Sequence, residues 1–279
     1  MRFSFIFVCA LTLLACNQTP PPIAPSDLKD FNLNGNVKTT EEYSVKPDDS
    51  LNTSETRSTY YHYFNPEGYI DSSVRKIEPL GYRETTIYER DEFNYNIQTS
   101  KVDQEGKSTF QLQKTFSNGK ISNSEFTSAG LKRSADYEYD EQDSLIKTIS
   151  YNNEGEIIET TDYTYETLGR TLISKVKFYD KNELLIKSEV SEFNPDNYAR
   201  LNTYTVYENS KPSYSTYRKV SCNENKDPIK IESSSPMNVK SFRTYQYTYD
   251  DQNNWTTKIE FIDGVKTSTT YRTIEYYSK

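Results

Sequence analysis

The chain has 279 residues and a formal charge of −8, and it contains 25 tyrosines, 13 phenylalanines and one tryptophan. The acidic balance excludes nucleic acid as a partner, because binding to phosphate requires a basic surface. The single histidine excludes sites that need two imidazoles.

The first residues have the pattern of an export signal. Met1-Arg2 forms a short positive start, and residues 3–15 carry no charge. This apolar run is too short for a bilayer-spanning helix, which takes about 20 residues. A secretory signal peptide is therefore predicted over residues 1–15.

The end of this run, Leu13-Leu14-Ala15-Cys16, resembles the lipobox of bacterial lipoproteins. The resemblance implies that Cys16 receives a diacylglyceryl group through its thiolate and is acylated on its α-amine after cleavage. Asn17 stands where an Asp retains lipoproteins in the inner membrane, so the outer membrane is implied, on its periplasmic or surface side. The alternative is an ordinary secretory peptide that is cleaved nearby.

Three regions follow from this assignment. Residues 1–15 form the signal peptide, residues 16–30 the lipidated cysteine with a proline-rich tether, and residues 31–279 a β-repeat domain. The tether is expected to be extended or disordered because of its proline content, with prolines at positions 20, 21, 22 and 25.

A repeat of 12 to 14 residues dominates the rest of the chain. Aromatic residues close β-like runs and are followed by polar turns, as at positions 139, 151, 165, 179, 193 and 207. Asp or Asn opens many of these turns, and Gly or Asn at the fourth position tolerates the left-handed conformation. Between the turns, apolar and polar residues alternate with period two, which predicts antiparallel strands.

About 18 strands of 7 to 11 residues are predicted, and a meander is their simplest order. The fold class is therefore all-β. A long, twisted, mostly single-layer sheet that coils on itself is the first expectation, because open sheets of more than about ten strands usually curl or close. A wide closed β-barrel is the alternative. A membrane-spanning barrel is rejected, because both faces of the strands carry charged and polar residues.

The tandem pattern resembles the YD-repeat, or RHS-like, family of bacterial surface proteins. The resemblance lies in Tyr137-Glu138-Tyr139-Asp140 and in Tyr247-Thr248-Tyr249-Asp250, and it covers roughly residues 61–277. It implies a repetitive β architecture at the cell surface, and it assigns no activity to this chain.

No motif of a nucleotide site, a metalloprotease or a serine hydrolase occurs, so we predict no catalytic residue, cofactor or metal site. His62 and Cys222 are interpreted as ordinary strand residues. The acidic segments 140–143 and 250–254 are interpreted as turns and not as calcium loops, because they lack the ligand spacing.

Two surfaces remain as candidates for recognition. One is an aromatic platform on adjacent strands, formed by Tyr245, Tyr247, Tyr249 and Trp255, although packing between strands would explain the same residues. The other is the free edge of the last strand, at about residues 265–277, which could accept a partner strand.

The sequence thus predicts a non-enzymatic lipoprotein that is held at the envelope by its N-terminal acyl chains. Its Tyr-rich surface would bind a glycan, a peptide or another envelope protein. A structural or shielding component of a surface assembly is the alternative. A glycan-acting hydrolase is the third hypothesis, and it would require two carboxylates converging on one concave surface.

Overall fold

The computed structural model describes residues 23–46, 57–237 and 239–278. A short 3-10 helix, Asp27–Lys29, precedes the strands and is capped by Ser26, whose hydroxyl accepts from the Leu28 amide. The strands follow in chain order: β1 Val37–Val45, β2 Arg57–Phe64, β3 Ile70–Glu78, β4 Tyr82–Arg90, β5 Asn96–Val102, β6 Ser108–Ser117, β7 Lys120–Ser128, β8 Leu131–Tyr139, β9 Leu145–Tyr151, β10 Ile157–Leu168, β11 Thr171–Asp180, β12 Leu185–Asn194, β13 Ala199–Glu208, β14 Lys211–Cys222, β15 Pro228–Ser234, β16 Lys240–Tyr249, β17 Trp255–Ile262 and β18 Val265–Tyr276.

These strands form one antiparallel meander that closes on itself. Each strand pairs with the next along the chain, and β18 pairs with β1, where Tyr43 lies opposite Tyr271. The predicted all-β meander is confirmed, and of the two architectures left open by the sequence, the closed barrel is observed. The free edge expected at residues 265–277 does not exist, because β1 occupies it. Eighteen strands make a barrel wide enough for a lumen.

The predicted turn chemistry recurs in the structure. In the turn that opens at Asp140, Oδ1 accepts from the amides of Gln142 and Ser144, and the Asp143 amide donates to the Asp140 carbonyl. In seven other turns the backbone amide of the fifth residue likewise donates to the side-chain oxygen of the first residue. These turns open at Asn65, Asp91, Asp103, Asn152, Asp180, Asn223 and Asp250. Asp140 and Asp250, which open the segments 140–143 and 250–254, thus cap these turns, as expected.

One predicted turn is displaced. Tyr165 is an aromatic that the repeat pattern places just before a turn, but β10 continues to Leu168. The chain reverses at Gly169-Arg170 instead, and Gly169 adopts a positive φ of 61°. A two-residue hairpin turn of this kind needs residues that tolerate left-handed backbone, which Gly provides.

A segment before β1 bridges one mouth of the barrel. This bridging segment, residues 24–36, bonds to the turns of four hairpins. Its sequence from 24 to 30 is predicted as tether, but it packs on the rim, because Ser26 starts a helical turn directly after the last proline. β1 begins and β18 ends at this bridged mouth, since an even number of antiparallel strands returns the chain to its starting side.

The contacts of the bridging segment identify the inner face of the wall. The Ala24 amide donates to the Phe93 carbonyl in the β4–β5 turn, while Asn32 Nδ2 donates to the Asn225 carbonyl in the β14–β15 turn. Eight residues reach at most about 28 Å, but the rim between these turns passes eight strands, or about 38 Å. The segment therefore crosses the opening, and the strand face that it contacts lines the lumen.

The main hydrophobic cluster lies where the segment meets this face. Leu33, Val37, Phe64 and Ile70 are buried there, and partly buried neighbours pack around them, namely Leu28, Phe31, Tyr88, Ile274 and Tyr276. Strand alternation then places Tyr60, His62, Glu42, Arg272 and the odd-numbered aromatics of β16 on the same lumen face.

Candidate functional site

The predicted aromatic platform is assembled, and it faces the lumen. Ring centroids are 6.4 Å apart for Tyr245 and Tyr247, 6.0 Å for Tyr247 and Tyr249, and 6.3 Å for Tyr247 and Trp255. The alternation along β16 brings the three tyrosines to one face, and the register with β17 sets Trp255 opposite Tyr249. A partner that used these rings would have to enter the barrel.

The hydroxyls of the platform already have partners in the wall. Tyr245 donates to Glu260, Tyr247 donates to the Pro228 carbonyl at 2.7 Å, and Tyr249 donates to Asp227 at 2.9 Å. Burial and then the Asp227 carboxylate raise the pKa of Tyr247. Burial also raises the pKa of Tyr249. These hydroxyls thus stay protonated and hold neighbouring strands together.

Trp255 is covered rather than free. Its side chain is only 6% exposed, and the Arg272 guanidinium carbon lies 3.5 Å from its ring centroid. Arg272 Nε donates to Glu42 at 2.7 Å, which fixes the cation over the ring. Burial is the main influence on Arg272 and lowers its pKa, although Glu42 opposes that effect. The indole therefore packs between strands within the wall. This is the arrangement predicted as the alternative to an open aromatic platform.

His62 and Cys222 are strand residues, as expected. His62 Nδ1 lies 2.8 Å from the Ser73 hydroxyl, and the His62 ring is 4.9 Å from that of Phe31. Burial lowers the pKa of His62, and the Glu42 carboxylate offsets part of that effect. Cys222 contacts the Tyr198 carbonyl through its sulfur, and burial raises the pKa of its thiol.

A cavity of about 560 Å³ opens in the lumen beside the platform. It lies toward the mouth opposite the bridging segment, where β1 ends and β2 and β18 begin. Its lumen-facing members are hydroxyl and charged residues with one tyrosine, namely Glu42, Ser44, Lys46, Ser58, Tyr60, Lys258, Glu260, Ser268 and Thr270. Its volume is typical of small-molecule sites.

The two carboxylates of this cavity are held by the wall. Glu42 is paired with Arg272 at 2.7 Å. Glu260 accepts from Arg243 and Tyr245 on one oxygen and from Thr267 and Ser268 on the other. Both carboxylates are thus fixed in orientation, and because Glu260 already accepts four hydrogen bonds, Glu42 is the one that presents acceptor positions to the cavity.

Sequence reasoning missed this cavity, although period-two alternation assigns its residues to common faces. Ser44 and Tyr60 belong to β1 and β2, whereas Lys258 and Ser268 belong to β17 and β18. They meet only because β18 pairs with β1, and no local signal predicts a pairing between strands so far apart in the chain. Period two also groups residues by face without saying which face is inside.

Part of the prediction lies outside the described residues. The signal peptide over residues 1–15 and the lipid attachment at Cys16 fall there. Within the described ranges, no helix is long and apolar enough to cross a membrane. The same ranges contain no group of three or more His, Cys, Asp or Glu placed to hold a metal ion.

Comparisons with known proteins give distant structural resemblances. No protein-family model matches the chain, and no curated protein matches it. A porin-like protein from Bacteroides uniformis is 13% identical with a TM-score of 0.46, over 87% of this chain and 99% of that one. A porin-like protein from Bacteroides vulgatus is 10% identical with a TM-score of 0.41, over the same shares. The Tc holotoxin pore of Photorhabdus luminescens is 8% identical with a TM-score of 0.24, over 78% of this chain and 15% of that one. These resemblances do not bear on function.

Proposed function

We propose that the protein is a non-catalytic lipoprotein of the bacterial outer membrane whose barrel binds a glycan in its lumen. Acyl chains on Cys16 would anchor it, since two or three chains make a durable attachment. The bridging segment supports this arrangement, because it places the N-terminal end of the barrel at the bridged mouth. The opposite mouth, with its cavity, would then face away from the membrane.

The outer wall supports anchoring by lipid rather than by the barrel itself. Glu138, Lys147, Asp162 and Lys177 lie side by side on β8 to β11, in direct register, and alternate in sign. Such cross-strand pairs are favourable in water, whereas a lipid-facing wall must be apolar over about 25 Å. The outer face of β8 to β11 is therefore suited to contact with water rather than with lipid.

The lumen cavity carries the proposal of a glycan ligand. Sugars are bound by fixed hydrogen-bonding groups together with an aromatic face. Glu42 supplies an oriented carboxylate, and the hydroxyl oxygens of Ser44 and Ser268 add further acceptors, since the Ser268 proton is already donated to Glu260. Tyr60 offers the aromatic face, because 41% of its surface is exposed.

A glycan array tests the proposal with the mature chain carrying Cys16→Ser, which stays free of lipid. Any glycan retained is then titrated against Tyr60→Ala, which should weaken binding by up to roughly tenfold through loss of stacking. Tyr63→Ala is the matched control, since Tyr63 lies on the same strand, is 39% exposed and points to the outer face. Its binding should equal that of the parent chain.

Two results would overturn this function. Absence of binding to every glycan would leave the shielding or structural alternative, which the closed wall favours. Equal losses in Tyr60→Ala and Tyr63→Ala would show that binding does not use the lumen. Anchoring is tested separately, by labelling cells with a palmitate analogue, and the label should be lost in Cys16→Ser.

A further inference from the structure

A second group of lumen residues lies on β12, β13 and β14, away from the glycan cavity. Arg200 lies opposite Phe193 on one side and Val220 on the other, and Arg218 lies opposite Asn202. Arg200 and Arg218 are thus diagonal neighbours on adjacent strands. Together with Ser191 they line a cavity of about 300 Å³.

Among the described residues, these two arginines lack the carboxylate partner that three other lumen-facing arginines have. Arg90, Arg243 and Arg272 each form an ion pair with a carboxylate. Within the part of the chain that the structure describes, neither Arg200 nor Arg218 does so. Both are exposed to the lumen, in a chain that has more acidic than basic residues.

The neighbouring charges do not neutralise this pair. Glu189 is the acidic residue on the adjacent lumen face, but its Oε1 already accepts from Ser191 and from Asn202 at 3.0 Å. Glu192 also contributes to the lining of this cavity, but it lies one position from Phe193, so its side chain belongs to the outer face of β12. Like charges at diagonal positions of adjacent strands repel each other, and a bound anion would offset that repulsion.

The geometry points to an oxyanion site at Arg200 and Arg218. A guanidinium fork matches the paired oxygens of a carboxylate, a sulfate or a phosphate. The Phe193 ring, with the Arg200 guanidinium carbon 5.3 Å from its centroid, adds an apolar face beside the anion. The ligand is therefore an anionic group on a molecule small enough to enter the lumen. This inference does not depend on the glycan cavity.

The test is equilibrium dialysis of the mature Cys16→Ser chain with glucuronate, inorganic phosphate and inorganic sulfate, at one ionic strength set with sodium chloride. These probes distinguish a sugar carboxylate from a phosphate or a sulfate. We expect one site to be filled by at least one probe. Arg200→Gln and Arg218→Gln should each weaken it about tenfold or more, as loss of charged hydrogen bonds does.

Lys219→Gln is the matched control, because Lys219 is adjacent to Arg218 on β14 but lies on the outer face. It removes the same charge and should leave binding unchanged. Equal weakening by Lys219→Gln would show that the effect depends only on net charge, and it would overturn the site. Failure of all three probes to bind would overturn it as well. Tyr60→Ala should bind the probe normally, which separates this result from the glycan proposal.

Discussion

The arc of the barrel under the bridging segment and the arc facing it are built from the same hairpins but bury very different side chains. The bridged arc comprises β14 to β18 and β1 to β5, and the open arc comprises β6 to β13. Among the described residues, every buried hydrophobic side chain belongs to the bridging segment or the bridged arc, namely Leu33, Val37, Phe64, Tyr69, Ile70, Val74, Val220, Ile231 and Trp255.

The open arc buries only small hydroxyl side chains among the residues described, those of Ser124, Thr148 and Thr161. A single layer of strands has no partner layer against which to bury a face. The bridging segment supplies such a layer on one side. Stability is therefore expected to be concentrated in the bridged arc, and the open arc should open more readily.

The largest contrast is expected at one turn position. Asn254 is fully buried, and its side chain bonds to both the amide and the carbonyl of Asn34 and to the Tyr276 hydroxyl. Asn254→Ala leaves these groups unpaired and should lower the free energy of unfolding by about 2–4 kcal/mol. The measurement is urea denaturation followed by tryptophan fluorescence.

Ser144→Ala is the control for this change, because Ser144 occupies the same position of the Asp140 turn in the open arc. Its backbone amide, which alanine keeps, makes the turn bond, so the change should be within about 0.5 kcal/mol. Equal losses at the two positions would mean that the bridging segment adds nothing to the rim.

Matched glycines give the next contrast. Gly68 and Gly155 both occupy the fourth turn position, with φ of 85° and 80°. A Cβ on Gly155 meets nothing within 4 Å, whereas one on Gly68 would lie 2.5 Å from Ser26 Oγ. Gly155→Ala should cost about 1 kcal/mol through backbone strain. Gly68→Ala should cost about 1 kcal/mol more, because it also displaces the bridging segment.

Hydrogen exchange locates the effect of Gly68→Ala. The amides of Leu33 and Ala24, which bond to Leu28 and Phe93, should lose protection in this variant. They should keep it in Gly155→Ala. If both variants left these amides protected, the position of the bridging segment would not depend on Gly68. The difference in stability between the two arcs would then come from the strands alone.

The strands and turns could be predicted because their signals are local. Asp140 and Asp250 open turns that their own side chains close, and alternation groups Tyr245, Tyr247 and Tyr249 on one face. The closure of the barrel could not be predicted, because no local sequence signal indicates that Tyr43 and Tyr271 lie opposite each other. Only closure decides that the platform faces inward and lies beside the cavity.

The bridging segment shows the other limit of sequence reasoning. A proline-rich composition predicts a tether over residues 16–30, yet Ala24 and Ser26 bond to hairpin turns. The residues that follow, Asn32 and Asn34, reach turns about 190 to 220 residues later. Their partners, the Asn225 carbonyl and Asn254, sit on one rim only after the barrel has closed. The apolar residues Leu28 and Phe31 are the local signal that could have indicated packing.

The smallest predicted effect concerns pH and the one histidine of the bridged arc. His62 faces Phe31, Ser73, Glu42 and Arg272. Burial lowers its pKa in the folded state below the ordinary 6.5, so the unfolded chain binds the proton more readily. This contribution to stability is complete above pH 6.5 and is lost as the pH falls through the pKa of the folded state.

His62→Gln removes that dependence, because glutamine does not titrate. The free energy of unfolding, measured with urea at pH 7.5 and at pH 5.5, should fall more for the parent chain than for His62→Gln. The carboxylates are common to both chains, so their titration cancels in the difference. An equal fall in both would show that protonated His62 is tolerated in the lumen, with Glu42 accepting its charge and outweighing Arg272 and burial.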